Sequence, residues 1–403
     1  MEKSVEQAIS LTVQRRIVIP DRIKLARYAK APELGPRLLF FSGGSALRGL
    51  SRLLKNYTHN SIHIITAFDS GGSSAVLRRA FQMLSIGDLR ARLMDLADQT
   101  LLGNPEIYDL FAYRFAKEAD EAVLAAEFRE MVQGVHPLVK QIHHPTRRII
   151  RNHLFSFQQR MPAYFDLRGA SVGNLILTAG YLENRRHPDP VIYIFSRLVQ
   201  ARGIVRPIVN RYLHLAAELA DGSTVIGQHR ITGKEYPPLL QRIERIYLSG
   251  DPEAGQEVEV PIREKMRNLI SAADLICYPM GSFYSSILAN LLPRGVGTAI
   301  AGRQVPKVFI PNTGHDPECC GLDVTAQVRK LVEYGSRDRA GITPTDIVDL
   351  VLVDREKGQY PGGLDSGYLA KRGIGVIDCR LVSERSAPFI DAELLLPVLL
   401  SLT

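Results

Sequence analysis

The chain has 403 residues, of which 45% are hydrophobic and 23% are charged. This is ordinary globular usage, without a low-complexity tract or an internal repeat, and it excludes a disordered or repeat protein. Lys and Arg number 50 against 42 Asp and Glu, a formal net charge of +8 that is spread along the chain. Such scattered charge suits an anionic small ligand or weak nucleic-acid affinity, and does not choose between them.

The chain ends and the cysteines predict a cytoplasmic protein without a membrane span. The polar start MEKSVEQAIS is not followed by an apolar stretch of signal-peptide length. The late apolar run at 393–402 is too short to cross a bilayer. The four cysteines include a vicinal pair at 319–320 but no CxxC spacing, so we expect reduced structural thiols.

Residues 1–35 are predicted to form an N-terminal arm that packs on the rest of the chain or caps it. The arm ends at the turn-like sequence APELGP. It carries a basic cluster of Arg15, Arg16, Arg22, Lys24, Arg27 and Lys30.

The first predicted strand leads into a glycine turn and a helix. An apolar run beginning at residue 37 breaks at Ser42-Gly43-Gly44-Ser45 and passes into a helical pattern over 46–55. Glycine permits backbone angles and close approaches that a side chain blocks, and a helix N-terminus presents unpaired N–H groups. We therefore expect an anionic group to bind at the end of this strand.

A second unit repeats this order. A buried strand over 62–67 ends at Asp69, and Gly71-Gly72-Ser73-Ser74 opens a helix. The two units form one βαβ motif, which predicts a parallel sheet with a right-handed crossover. Both glycine loops then lie at the carboxyl edge of the sheet, where open α/β sheets bind ligands.

The middle of the chain is predicted to be mostly helical. Helices are expected over 86–98, in a helical insertion at about 100–165, over 172–182 and again near 190–203. A small β excursion away from the main sheet is expected at about 204–262, with a turn at Asp221-Gly222.

The sheet is predicted to resume in the last third of the chain. Strands are expected at 275–278, 306–312 and 346–354, with an edge strand at 373–379. The first of these is followed by a turn at Gly281-Ser282 and a helix start at Ser285-Ser286. The alternation of strands and helices predicts an α/β fold, a Rossmann-like three-layer αβα sandwich with a mostly parallel sheet.

Three strand–turn–helix junctions therefore carry glycine followed by serine. Backbone N–H groups together with hydroxyls hold phosphate oxygens without a fixed charge, so the three loops favour a phosphorylated or nucleotide ligand. The first loop has neither the G-x-G-x-x-G spacing nor the Gly-Lys-Ser/Thr of a Walker loop. Asp69 does stand where a dinucleotide fold keeps its ribose-binding carboxylate, so a nicotinamide oxidoreductase stays open as a less favoured alternative.

Six segments in register resemble the CofD (UPF0052) family, which includes 2-phospho-L-lactate transferase and the bacterial YvcK-type proteins. They are SGGSALRGL, ITAFDSGGSSAVLR, IGDLRARLMDLAD, LFAYRF, GASVGNL and GSFYSSILANLL. Their sequences are more similar to the YvcK-like branch. The resemblance covers residues 38 to about 354. It divides the chain into the arm at 1–35, a CofD-like nucleotide-binding domain at 36–360 and a C-terminal segment at 361–403 that packs on the core.

The resemblance implies binding of a GDP- or UDP-linked compound. In the transferase branch it implies Mg²⁺-assisted transfer of a phospholactyl-type group from a guanosine-linked donor to a deazaflavin hydroxyl. In the other branch it implies a nucleotide-sugar-binding regulator without catalysis. No nucleic-acid module supports an RNA partner, and a homodimer stays open.

Site residues follow from matching the family's motifs. The resemblance assigns phosphate and nucleotide contacts to Gly43, Gly44, Ser45, Gly71, Gly72, Ser73, Ser74, Arg90, Ser171, Asn174, Gly281, Ser282, Ser285 and Ser286. Asp69 and Asp88 are the candidate catalytic residues and Mg²⁺ ligands. The chain departs from the family at Ser70, where a second acid is expected, and at Ala46, where a glycine is expected.

Three of these assignments have plainer alternatives. Asp88 follows a glycine and precedes an apolar stripe, so it is equally suited to be a helix N-cap. Arg90 and its neighbour Arg92 could be solvated helix positions, with Arg90 the better candidate for an anion contact. Asn174 could form only local turn bonds.

Overall fold

The computed structural model describes residues 16–100, 103–233 and 235–403, so Arg15 and most of the predicted arm's first half lie outside the described residues. The strands are β1 (Leu38–Ser42), β2 (Ile62–Ile65), β3 (Ile204–Pro207), β4 (His214–Leu219), β5 (Thr224–Ile226), β6 (Ile243–Ser249), β7 (Leu275–Tyr278), β8 (Lys307–Phe309), β9 (Leu350–Val353) and β10 (Gly375–Asp378). The α-helices are α1 (Arg22–Lys30), α2 (Arg48–Leu54), α3 (Gly72–Phe81), α4 (Gly87–Asp95), α5 (Pro105–Ala112), α6 (Glu121–Gln133), α7 (Pro137–Lys140), α8 (Thr146–Arg160), α9 (Val172–Glu183), α10 (Pro188–Leu198), α11 (Gln228–Ile231), α12 (Glu264–Ser271), α13 (Val296–Ala301), α14 (Val324–Ser336), α15 (Pro344–Ile347), α16 (Ser366–Ala370) and α17 (Ala392–Ser401).

Seven strands form one parallel sheet in the order β10-β9-β8-β7-β1-β2-β3, which confirms the predicted α/β fold. From β1 the chain adds strands toward β3, and from β7 it adds strands toward β10 on the other side. The order therefore reverses between β1 and β7. In open α/β sheets a crevice forms at the carboxyl ends of the strands at this switch point.

Both faces of the sheet are covered, which makes the predicted three layers. Leu39 and Phe41 of β1 point into the larger core, whereas Leu38 and Phe40 point into a second core that contains side chains of α2 and α17. A strand with apolar neighbours on both faces is a continuous apolar run, and this is why the sequence signal for β1 is strong.

The predicted β excursion begins later than residue 204. β3 pairs in parallel with β2, with Ile204 opposite Ile62, and so belongs to the main sheet. Only β4, β5 and β6 form a separate antiparallel sheet, in which the expected turn at Asp221-Gly222 joins β4 to β5. A four-residue strand does not encode its partner, because both sheets accept the same apolar pattern.

Both ends of the described chain pack on the second core. Asp21 N, just before α1, donates to Ser401 Oγ of α17 at 2.7 Å, and Lys24 Nζ donates to the Ser401 carbonyl at 3.0 Å. Beyond residue 360, β10 completes the main sheet at its edge, as predicted for 373–379. Within the described ranges, no helix has the length and apolar composition needed to cross a membrane.

Candidate functional site

Two cavities open at the carboxyl edge of the sheet, and they share Gly44, Ser45 and Ser286. The larger one, of about 680 Å³, is lined by the first and second glycine loops. The smaller one, of about 320 Å³, is lined by the first glycine loop and the loop that follows β7. All three loops therefore reach the larger cavity, the third through Ser286, and the wall shared by the two cavities is formed by the first and third loops.

Most of the predicted site residues line this pair of cavities. The larger cavity contains Gly44, Ser45, Asp69, Gly71, Gly72, Ser73, Ser74, Asp88, Arg90 and Ser286. The smaller cavity contains Gly43, Gly44, Ser45, Gly281, Ser282 and Ser286. Ser171, Asn174 and Ser285 line neither of them.

Arg92 fixes the conformation of the first loop. From the sequence alone, this arginine was also consistent with a solvated helix position. The Arg92 side chain is fully buried, and its Nη2 donates to the carbonyls of Gly43 and Gly44 at 3.2 and 2.8 Å. In a planar trans peptide the N–H of the next residue points opposite to the carbonyl. The N–H groups of Gly44 and Ser45 therefore point away from Arg92, and neither donates to a described residue.

The second loop has a similar support. The buried Arg78 donates from Nη1 to the carbonyls of Phe68 and Asp69 at 2.8 and 2.9 Å, and from Nη2 to the Leu213 carbonyl. Burial lowers the pKa of Arg78 to about 10, so the guanidinium stays charged at neutral pH. A buried arginine thus fixes each of the first two loops, Arg92 the first and Arg78 the second.

The amides that open α3 are already used by carboxylates. Gly71 N donates to Asp69 Oδ1 at 3.0 Å, and Gly72 N donates to Glu235 Oε1 at 2.8 Å. A carboxylate at a helix N-terminus satisfies the same donors that a phosphate would. In this conformation, two of the donors predicted for the second loop are therefore occupied by side chains.

The third loop departs further from the prediction. In place of an α-helix, Phe283–Ile287 forms a π-helical turn followed by a 3₁₀ turn at Leu288–Leu291. The amides of Tyr284 and Ser285 both donate to Glu318 Oε2 at 2.8 Å, and Ser285 Oγ donates to Glu318 Oε1 at 2.5 Å. Because Ser285 is buried against Glu318, it does not reach the cavity, unlike Ser282 and Ser286.

Glu318 makes the stability of the chain pH-dependent. Burial and the nearby Asp316 charge raise the pKa of Glu318 from 4.5 to about 7. A carboxyl with a raised folded-state pKa contributes stability that is complete below pH 4.5 and is lost as the pH rises through 7. We expect the free energy of unfolding to fall between about pH 4.5 and about pH 7 by roughly 3 kcal/mol. In urea titrations, Glu318→Gln should flatten this decline, and an unchanged slope in that variant would exclude Glu318 as its source.

Asp69 and Asp88 line the larger cavity from two different elements. Burial raises the pKa of Asp69, while its hydrogen bonds with Gly71 N and the Ser74 side chain oppose that rise. Asp88 lies in the first turn of α4, whose N-cap is Ile86, so the N-cap alternative is wrong. A Cβ added to Gly44 would lie 2.4 Å from Asp88 Oδ1. Asp88 thus packs directly on the first loop.

The remaining assigned residues support the larger cavity. Asn174 Nδ2 lies 3.3 Å from Ser73 Oγ, whereas Asn174 Oδ1 and Ser171 Oγ are buried without a hydrogen-bond partner. Asn174 is therefore not limited to local turn bonds. Arg90 is mostly buried, and its Nη1 lies 3.4 Å from the Phe111 carbonyl, so it is not a solvated position either.

Ser70, which replaces the expected second acid, contacts a histidine. Its Oγ lies 2.6 Å from His229 Nδ1 and 3.3 Å from the His229 amide nitrogen. The hydroxyl accepts from that amide, and it donates its own proton to Nδ1 when the ring carries its proton on Nε2. Burial lowers the pKa of His229, so a neutral ring with Nε2 protonated fits this arrangement.

Sequence reasoning missed much of the positive charge around the larger cavity. Besides Arg90, its lining contains Arg48, Arg114, Lys117 and Arg168. Three carboxylates, those of Asp69, Asp88 and Glu235, line the same space. Arg114 lies within the family motif LFAYRF, so the sequence did contain a signal for it. The sequence around Lys117 and Arg168 does not distinguish them from any other exposed basic residue.

The fold and these loops define an α/β protein with a seven-stranded parallel sheet and glycine loops at its switch point. The profile of the family described as 2-phospho-L-lactate transferase CofD matches residues 38–382, and the chain belongs to this family. The matched region extends beyond residue 354, where the motif resemblance was expected to end, and it includes β10.

Several relatives carry a different description. The chain is 30% identical to the "Gluconeogenesis factor" of Listeria monocytogenes over 70% of this chain and 67% of that protein. It is 28% identical to the "Gluconeogenesis factor" of Bacillus subtilis over 87% of this chain and 92% of that protein. The crystal structure of a UPF0052-family protein from Bacillus halodurans has a similar fold, with a TM-score of 0.64 and 24% identity over 91% of this chain and 99% of that one.

Proposed function

We propose that the paired cavities bind a nucleoside-diphosphate compound, GDP- or UDP-linked, whose diphosphate lies on the first glycine loop. The observation that carries this proposal is the pair of N–H groups at Gly44 and Ser45, which Arg92 orients away from itself. Two adjacent backbone donors and the Ser45 hydroxyl suit phosphate oxygens. The wall formed by Gly44, Ser45 and Ser286 borders both cavities. A diphosphate bound there could therefore join one half of the ligand in each cavity.

The two cavities suit chemically different halves. The smaller has apolar walls at Met280, Ile287 and Phe389, with polar groups at Asn312, His315 and Asp316, and it would hold the nucleoside. The larger is charged and would hold the group linked to the diphosphate.

Asp69 and Asp88 fit a magnesium ion that the ligand's phosphates help to coordinate. Mg²⁺ is commonly bound by one or two carboxylates together with phosphate oxygens. The described residues contain no cluster of three or more metal-binding side chains, so the protein alone would bind the ion weakly. Mg²⁺ would neutralise phosphate charge during transfer of a phosphate-linked group to a hydroxyl acceptor.

A regulator that only binds its ligand needs no such step. The name that the Listeria and Bacillus relatives carry favours this second role, whereas the family description favours the transferase. Turnover decides between them. Binding without turnover, with or without Mg²⁺, would support the regulator, and release of a nucleoside monophosphate that requires Mg²⁺ and Asp69 would support the transferase.

Gly44→Ala should weaken nucleotide binding without unfolding the chain. The added Cβ would lie 2.4 Å from Asp88 Oδ1, so the loop or the carboxylate must shift. We expect binding roughly 10- to 100-fold weaker, measured by calorimetry with whichever of GDP, UDP-sugars, NAD or deazaflavin gives the largest thermal shift.

Gly49→Ala is the matched control for this substitution. Gly49 lies in α2, where an added Cβ would make only an ordinary contact, 3.6 Å from Ala392 Cβ. Equal affinity in the Gly44 variant and the wild type, or binding of NAD alone, would contradict the proposal.

A further inference from the structure

A third cavity, of about 250 Å³, lies beside β3 and shares no lining residue with the two glycine-loop cavities. It is enclosed by the start of α10, the residues that follow β3 and the segment that leads into α12. Its apolar walls include Ile208, Val260, Met266 and Leu269. At ~30 Å³ per water molecule it has the volume of roughly eight waters, enough for a small organic molecule.

The polar part of the lining is strongly positive. Arg206, Arg211, Arg263 and Lys265 face a single lining carboxylate, that of Asp189. Asp189 is shared, because Arg206 Nε and Lys265 Nζ each lie 3.1 Å from one of its oxygens.

The other two cations lack a counter-charge. Arg211 and Arg263 are exposed, and within the described part of the chain neither forms an ion pair. Four cations against one carboxylate leave an excess of three positive charges next to an apolar surface. An anion would relieve this repulsion, whereas a cation would add to it.

One further group in the cavity has an unused hydrogen-bonding atom. Asn210 Nδ2 donates to the Arg186 carbonyl at 2.7 Å, but Asn210 Oδ1 is buried without a partner. A buried acceptor of this kind is costly unless a ligand or water donates to it. The cavity therefore offers a cationic rim, apolar walls and an acceptor.

We propose that this cavity binds a small organic anion, a carboxylate or phosphate on an apolar body of about six carbons. The anionic group is held by Arg211 and Arg263, and the apolar body lies against Met266 and Leu269. A neutral amide of the same shape would gain the apolar contact and can donate to Asn210 Oδ1, but it would leave the charges of Arg211 and Arg263 unbalanced. The site is independent of the nucleotide proposal, because no residue is common to both.

The test compares hexanoate and hexyl phosphate with hexanamide by calorimetry on the full chain. We expect at least one of the two anions to bind and hexanamide to bind about tenfold more weakly, since a charge-assisted hydrogen bond is worth more than 1.4 kcal/mol. The double variant Arg211→Gln, Arg263→Gln should lose about as much affinity for the anion. Arg267→Gln changes an exposed arginine of α12 outside the cavity lining and should leave the affinity unchanged.

A second variant tests the apolar half of the cavity. Leu269→Phe keeps every charge but adds volume at the wall, and it should weaken the binding of whichever anion the wild type binds. Excess UDP should not displace that anion. The proposal is overturned if neither anion binds, if hexanamide binds as well as the anions, if the Arg267 control loses affinity as the double variant does, or if UDP competes.

Discussion

Replacing Arg92 by Met should destabilise the chain by about 3–5 kcal/mol and reduce nucleotide affinity roughly 100-fold. The Arg92 side chain is fully buried, and it donates to the Gly43 and Gly44 carbonyls and to Ser51 Oγ. Methionine fills similar space but leaves these three acceptors without their donor, and it removes one of the three arginines that pair with Asp95. Urea unfolding measures the first effect, and calorimetry with the best-binding nucleotide measures the second.

The control for this variant shares one of its partners. Arg52 also pairs with Asp95, at 3.3 Å, but its side chain is 47% exposed and lines neither of the two glycine-loop cavities. Because exposed ion pairs contribute little, Arg52→Met should cost less than about 1 kcal/mol and should leave nucleotide affinity unchanged. If Arg92→Met lowered stability but kept full affinity, the first loop would not owe its ligand-binding shape to this arginine.

Replacing Glu318 by Ala should have an effect of similar size. Three donors of the third loop, the amides of Tyr284 and Ser285 and the Ser285 hydroxyl, would be left buried and unpaired. Each such donor costs ~1–3 kcal/mol, so a total loss of at least about 3 kcal/mol is expected at pH 6. Gly281 and Ser282 line the smaller cavity from the same loop, so nucleotide affinity should fall as well.

Glu333→Ala supplies the comparison. The Glu333 side chain is 56% exposed and pairs with Lys330 at 3.1 Å on the surface of α14, so its loss should cost less than about 1 kcal/mol. The cost of Glu318→Ala should also shrink at pH 8, where ionisation of the buried carboxyl has already lowered the stability of the wild type. A constant cost across this pH range would show that the raised pKa of Glu318 does not affect stability.

The sequence could predict the main elements because their signals are local or periodic. Leu38–Phe41 is a continuous apolar run since both sheet faces are covered, and the glycines that follow mark the turn directly. The order of strands and helices then favoured a parallel sheet, and with it a shared edge for the loops. It did not predict that β3 belongs to the main sheet, because a strand's partner is chosen by the whole fold.

What the sequence by itself determined is the family, the α/β fold and the glycine loops at the carboxyl edge of the sheet. Only the tertiary structure decided which of those loops keep free donors. Glu235 reaches α3 from 163 residues away, Glu318 reaches the third loop, and Arg92 orients the first loop. The physical reason is that an N–H group at a loop or helix start binds any nearby anion, whether a ligand or a remote carboxylate, and spacing along the chain does not reveal which one is there.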